Sequence, residues 1–300
     1  MANTVFDDLH ATARGLADDQ WIDVMLQSLD HREIDGLTLP GFPDEQTQRI
    51  TNSLADLATM QSAVVIYQRV KTLVAAQGLT LTDDSRALDY GCGWGRIYRF
   101  FLKDLAPANL FGVDVDRRLI AACRATLPLD QFSTIEPIKA PLPRERWLRR
   151  CRQTGSKPLS FDDATFDLVF ANSVFSHLNE QTHRATLDEL ARVTRPGGLL
   201  VLTVIGQPEF QRWHDSPPDK DVWARSVIGD MDDAARRLEG GEFVWASTGR
   251  RDRLEAYGLA LVPDAWINTN WPSLLDVVGV HRFPGSPQAF AVARRNHATT

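Results

Sequence analysis

Residues 87–96 read Ala87-Leu88-Asp89-Tyr90-Gly91-Cys92-Gly93-Trp94-Gly95-Arg96, a short apolar run that ends in an acid and passes into a glycine-rich turn. Glycine suits such a turn because it reaches positive φ without strain and lets another molecule approach the main chain with no Cβ in the way. Residues 97–105 then predict a helix with Ile97, Phe100 and Phe101 on one face, anchoring its N-terminus over a sheet. The spacing is G-x-G-x-G. A dinucleotide pyrophosphate calls for G-x-G-x-x-G, which argues against NAD and an oxidoreductase. Asp89 either meets a ligand at the strand end or caps the glycine turn through its own backbone, two roles that are compatible.

Two further blocks follow in order. Asn109-Leu110-Phe111-Gly112-Val113-Asp114 is a second apolar run ending in a carboxylate, nineteen positions beyond Gly95. In a strand-helix-strand unit that spacing sets an acid at the tip of the neighbouring strand, where it can accept hydrogen bonds from both hydroxyls of a ribose. The third block is Phe166-Asp167-Leu168-Val169-Phe170-Ala171-Asn172-Ser173-Val174-Phe175-Ser176-His177-Leu178, followed by a helix and by Arg195-Pro196-Gly197-Gly198-Leu199-Leu200-Val201-Leu202.

Taken together, these blocks resemble the class I S-adenosylmethionine (SAM)-dependent methyltransferases, more narrowly their small-molecule branch, over residues 86–206. The resemblance implies an α/β, Rossmann-like fold: a mostly parallel seven-stranded sheet with helices on both faces. It also implies SAM as cofactor, S-adenosylhomocysteine as product, and transfer of the methyl group to an oxygen or nitrogen of a small acceptor. Asp89 and the backbone of Gly91, Cys92 and Gly93 would surround the methionine part and the ribose, and Asp114, with Val115 beside it, would hold the ribose. Asn172 would lie beside the methionine part, with Trp94, Gly95 and Arg96 completing the cofactor set. One departure stands out. The family's third strand ends in an acid-small pair that touches adenine, whereas this chain reads Ile135-Glu136-Pro137-Ile138-Lys139-Ala140 and enters an arginine-rich segment.

Outward from these blocks the chain divides into an N-terminal helical cap (1–82), the cofactor-binding core (83–206), a lid or acceptor-binding insertion (207–272) and C-terminal strands (273–300) that complete the sheet. Trp21, Ile22, Met25, Leu26 and Leu29 recur at helical spacing over residues 18–29. A second helical region spans 44–77, in one or two pieces, with Gly78 as its stop. Residues 119–127 and 182–193 predict helices, and 110–113, 166–171 and 199–205 predict strands. Residues 274–283 and 288–295 predict a last pair of strands joined through Pro284-Gly285-Ser286-Pro287.

A net charge of −6 argues against a nucleic-acid face, which draws on clustered Lys and Arg. Three cysteines, Cys92, Cys123 and Cys151, without CxxC spacing indicate neither a disulfide framework nor a zinc site, and no metal is expected. With no apolar span and no basic-apolar leader in the sequence, a cytoplasmic protein is expected, with a small-molecule acceptor as partner.

His177 is the candidate general base, since imidazole titrates near neutrality; the alternative is a neutral ring that caps or packs at the start of the helix after Asn179. Residues 144–152, with five arginines, either receive an acidic partner or form a solvated helix face. Trp213, Trp223, Trp245, Tyr257, Trp266 and Trp271 either line an acceptor pocket or form a satellite core. Two other functional classes stay open: a non-catalytic SAM-binding sensor, and a methyltransferase acting on a protein or other macromolecule.

Overall fold

Strand β1, Ala87–Tyr90, is buried along its whole length. Burial along the whole length suits a strand covered on both faces. The computed structural model describes residues 2–136, 159–249, 258–271 and 273–297. Six further strands join β1: β2 Leu110–Asp114, β3 Phe132–Thr134, β4 Phe166–Ala171, β5 Thr194–Val204, β6 Leu275–His281 and β7 Ala289–Arg295. They form one seven-stranded sheet in the order β6-β7-β5-β4-β1-β2-β3. The chain divides into two compact units, residues 1–135 with 166–170, and residues 136–165 with 171–300.

In the first unit β1 lies between β2 and β4, parallel to both, with Asp89 opposite Gly112 on one side and Phe170 on the other. β3 extends the parallel set beyond β2. The chain runs outward from β1 to β3 and then returns to the other side of β1, so the carboxyl ends of β1 and β4 flank a topological switch point. Ligands of open α/β sheets bind in the crevice at such a point. Gly112 is required by packing, because a Cβ there would come within 2.8 Å of the Phe132 ring on β3. Inserting that methyl into a filled core costs about 1–3 kcal/mol.

The N-terminal helices are α1 Ala2–Ala13, α2 Asp18–Gln27, α3 Glu45–Asn52 and α4 Asp56–Ala76. The expected long helical region is thus two helices. Asp44 caps α3 by accepting from Thr47 N at 2.9 Å, and Ser53, at φ 61°, ends it in the left-handed region. Gly78 follows α4 at φ +70°, the conformation that stops a helix at little cost. Thr59, Met60, Ala63, Tyr67, Val70 and Val74 form the buried stripe of α4. Trp21 of α2 is fully buried and donates from Nε1 to the Phe100 carbonyl at 2.9 Å.

One expectation is corrected here. Residues 97–105 do not form a one-faced helix. They form a short 3-10 turn, Tyr98–Leu102, buried on every side. Arg99 and Tyr98 are carried inward with the apolar residues, each with polar partners: Tyr98 donates to Leu110 O and Arg99 to Gly41 O and Gly95 O. The third strand of the parallel set, Phe132–Thr134, brings Phe132 against Gly112, and Ile135 and Glu136 follow it. Residues 137–158, including the arginine-rich run and Cys151, fall outside the described residues.

In the second unit β7 runs antiparallel to both β5 and β6, and the residues expected to turn between the last two strands do so. Helix α5, Arg117–Thr126, belongs to the first unit, while the second carries α6 Glu180–Val193, α7 Gln207–His214, α8 Val222–Ile228, α9 Met231–Glu239 and α10 Asp264–Asn270. Residues Val244–Ser247 and Gly258–Leu261 form a separate antiparallel pair. Ile205, Phe210, Ala224, Leu238, Val244 and Leu261 build a satellite core here, with Trp213 packed against it. Trp266 and Trp271 are also buried, whereas Trp223 is 51% exposed and Tyr257 is outside the described residues. Packing, rather than an aromatic pocket wall, accounts for most of these tryptophans. Among the described residues no helix is long and apolar enough to cross a membrane.

Candidate functional site

The turn after β1 is held by its own backbone. Gly91 N and Cys92 N both donate to Val113 O, at 2.8 and 3.0 Å, and Gly95 N donates to Cys92 O at 3.0 Å. Gly93 N donates to the Asp114 carboxylate at 2.9 Å. These N–H groups are therefore consumed. A loop in this state has none of these four N–H groups to offer a pyrophosphate, which seeks donors.

Gly93 and Gly95 adopt φ +59° and +80°, and a Cβ would come within 2.7 Å of Thr51 Cγ2 at the first and 2.8 Å of Leu127 Cδ1 at the second. Both conformation and space demand glycine. Thr51 of α3 packs on the open face of Gly93, so the N-terminal helices reach the loop directly.

Asp89, one residue before the end of β1, is 1% exposed, and its Oδ2 has no hydrogen-bond partner among the described residues. Burial drives its carboxyl well above the usual carboxylate range, Arg96 draws it back, and Asp114 adds to the rise. Arg96 is also buried and donates from Nη1 to Ser62 Oγ of α4 at 3.1 Å. Burial lowers it to about 10 against the supporting charge of Asp89.

Asp114 ends β2 and is nearly buried. Its Oδ2 accepts from Gly93 N, and its Oδ1 accepts from Asp116 N at 2.8 Å. Burial raises its pKa, and the backbone donors of Asp116 and Gly93 oppose the rise. Each carboxylate oxygen keeps a second lone pair, so the two can still accept from neighbouring hydroxyls. Val115, directly after it, exposes 44% of its surface, an apolar face beside the acid.

The other loop candidates are built differently. Trp94 is fully buried, edge-on to Phe42, and the Arg99 guanidinium lies 4.8 Å from its ring and 4.4 Å from that of Phe42. Its side chain packs the underside of the loop. Cys92 and Cys123 are free, buried thiols beneath the loop, and Cys123 Sγ donates to Gly93 O at 3.2 Å.

Asn172 and His177 lie in the second unit. Asn172 is half-buried, directly after β4, and the next residue, Ser173, stands at φ +58° with its N–H donating to Thr203 Oγ1 at 2.6 Å. Gln288 Nε2 donates to Ser173 Oγ and Ser176 Oγ, at 3.0 and 3.3 Å. The His177 ring meets Gly258 O through Nδ1 at 2.8 Å. A carbonyl only accepts, so the proton sits on Nδ1 and Nε2 is the basic nitrogen. His177 does not cap the following helix; Asn179 does, by accepting from Thr182 N at 2.9 Å.

Residues 88–202 match the methyltransferase domain family. The similarity covers the central part of the chain, from β1 to β5. Two similar proteins are a malonyl-[acyl-carrier protein] O-methyltransferase of Halalkalibacterium halodurans, 29% identical over 45% of this chain and 44% of that protein, and a trans-aconitate 2-methyltransferase of Rhizobium rhizogenes, 31% identical over 44% and 42%. The chain thus spans under half the length of either relative. A SAM-dependent methyltransferase from Clostridium acetobutylicum shares the fold, with a TM-score of 0.50 at 9% identity over 84% of this chain and 97% of that one.

Ser62 and Thr51 escaped the sequence reading. Ser62 flanks the apolar stripe of α4, three residues after Thr59, and a polar residue there is the one local signal that this face meets something other than core.

Proposed function

We propose that this chain transfers a methyl group from SAM to an oxygen or nitrogen atom of a small-molecule acceptor. One observation carries the reading: at the switch point of the sheet, a fully buried Asp89 holds an oxygen with no partner among the described residues. A buried, unmatched carboxylate is costly and is kept where a ligand completes it. The residues fit this cofactor. The buried Asp89 suits a cationic methionine end, Asp114 suits a vicinal diol, and Val115 offers an apolar surface for a base. Asn172 is assigned to the methionine part from its place after β4.

When bound, SAM supplies a methyl group already activated on a sulfonium. The chain's own task is to hold the acceptor in line with that carbon and to exclude water. His177, fixed by Gly258 with Nε2 as its basic nitrogen, is assigned the removal of a proton from a hydroxyl or ammonium acceptor. The name of one relative, an O-methyltransferase of malonyl-[acyl-carrier protein], supports an oxygen acceptor.

Calorimetry with S-adenosylhomocysteine and transfer of label from methyl-labelled SAM into a metabolite extract test this reading. Micromolar binding, weakened about 10- to 100-fold by Asp114→Ala, and label in a small product are expected. Binding without turnover would instead mark a sensor, and label in protein a macromolecular acceptor. No binding by well-folded protein would end the proposal.

A further inference from the structure

Arg99 is fully buried and carries its guanidinium into the core of the first unit. Its Nε donates to Gly95 O at 3.2 Å and its Nη1 to Gly41 O at 3.0 Å, while Nη2 has no partner among the described residues. The guanidinium carbon lies 4.4 Å from the centre of the Phe42 ring and 4.8 Å from that of Trp94. Ring faces attract the charge but accept an N–H only weakly, so the donors of Nη2 stay unmet. Trp94 is fully buried too, and its Nε1, a donor only, is likewise without a partner among the described residues.

The charge around these two donors sets them apart from an ordinary buried gap. Arg96, also buried, has Asp89 as its supporting charge. Arg99 has no such acid among the described residues: the groups that act on it are the Cys123 thiol and Arg32, a second cation. Both guanidinia meet the same residue, since a Cβ on Gly41 would come within 3.0 Å of Arg32 Cζ and Gly41 O accepts from Arg99. Burial lowers the Arg99 pKa to about 9, which leaves it a cation at neutral pH. A buried charge without a counter-charge is costly and is kept where an ion of opposite sign completes it.

We propose that a small monovalent anion, of the size of chloride, is held beneath the glycine loop by Arg99 Nη2 and Trp94 Nε1. Nη2 is one bond from the guanidinium carbon and Nε1 belongs to the indole beside it, so a single ion serves both donors. A water molecule would meet the geometry and leave the charge. Enclosure favours a small ion, and one uncompensated charge sets its valence. The ion completes a clasp: Arg99 joins Gly41 O to Gly95 O, and Gly41 N donates to Thr126 O at the end of α5 at 2.9 Å. The Trp94 side chain thus has a role apart from the methyl donor, and the inference stands whether or not the chain binds SAM.

Thermal melts of the wild-type chain in sodium chloride and in sodium gluconate, whose anion is too bulky for the site, test this at constant ionic strength. Each tenfold rise in chloride above its dissociation constant should raise the melting temperature by about 2–5 °C. Trp94→Phe keeps a ring in place and removes the donor, and it should move the chloride response to concentrations about 10- to 100-fold higher. Arg99→Met should abolish the response. Should that variant fail to fold, wild-type crystals grown in sodium bromide decide the point, with an anomalous peak expected within about 3.5 Å of Arg99 Nη2. Equal melting temperatures in chloride and gluconate would mean that a neutral water fills the gap, and would overturn the proposal. A chloride response left whole in Trp94→Phe, or bromide confined to the protein surface, would overturn it as well.

Discussion

Asp89, Glu189 and Glu209 are buried to the same degree, at 1%, 3% and 2% exposure, and they differ in company. In the second unit, Glu189 receives Leu159 N at 2.9 Å and two donors of Arg192, at 2.9 and 2.6 Å. Glu209 receives Gly206 N at 3.0 Å and the Arg282 guanidinium at 3.3 Å. In the first unit, Asp89 keeps an oxygen without a partner among the described residues. A buried carboxylate is destabilising unless its lone pairs are met, so the satisfied pair belongs to the fold and the unsatisfied acid to a ligand. Burial alone does not separate structural from functional charge. The state of the partners does.

The largest effect expected from this contrast is at the satisfied end. Arg192→Met would leave Glu189 buried and uncompensated, and removing one partner of such a pair costs about 3–5 kcal/mol. That is a large share of the roughly 5–15 kcal/mol by which a folded domain exceeds its unfolded chain. A urea titration should show the midpoint falling steeply at constant slope. A loss under about 1 kcal/mol would mean that the pair is solvated in solution and that the comparison fails.

The unsatisfied end should respond with the opposite sign. Asp89 has a folded pKa raised by burial, so any stability it lends is complete below the unfolded value near 3.8 and is lost as pH rises through the folded value. Asp89→Asn removes that dependence. At pH 8 the ligand-free variant should be about 1–3 kcal/mol more stable than wild type, with the gap closing toward pH 4. Binding of S-adenosylhomocysteine should weaken in the same variant. Thermal melts across pH check the first part, and a variant less stable than wild type at pH 8 would show that Asp89 is matched after all. Gain in stability with loss of binding is the pattern of a strained functional group.

Much of this contrast was legible before any coordinates. Asp89 and Asp114 announce themselves because each ends an apolar run, and a doubly covered strand leaves no ambiguity about where its tip lies. β1 and β4 fall where the residues place them for the same reason. The short turn at Tyr98–Leu102 was misread because periodicity distinguishes faces only when one of them is wet, and here aromatic, arginine and tyrosine side chains are all inside. The third strand escapes a reading of the sequence because three residues give almost no pattern, and its decisive contact, Phe132 on Gly112, joins two strands. Ser62, Thr51 and the Gly258 carbonyl on His177 were invisible because each meets its partner through tertiary docking, to which local sequence is blind.

The smallest effect tests whether the second unit admits an unpaired buried charge. His183 of α6 is fully buried, edge-on to Phe175, Phe243 and Trp266, with ring centroids 4.8, 5.4 and 5.2 Å away. Burial, with Arg184 adding to it, lowers its pKa to about 3. The ring is neutral at ordinary pH, and unfolding lets it bind a proton below about 6.5. Its contribution is therefore present above the unfolded pKa and is lost as pH falls toward 3. His183→Phe keeps a ring of similar volume in the same aromatic surroundings and removes the proton. At pH 8 the two proteins should differ by less than about 1.5 kcal/mol, the usual range for a volume-conserving exchange in a core. Between pH 6 and 4 the wild type should lose stability faster than the variant. Parallel melting curves over that range would mean that the imidazole takes up its proton without opening the fold, and that the aromatic surroundings are not what keeps the second unit free of unpaired charge.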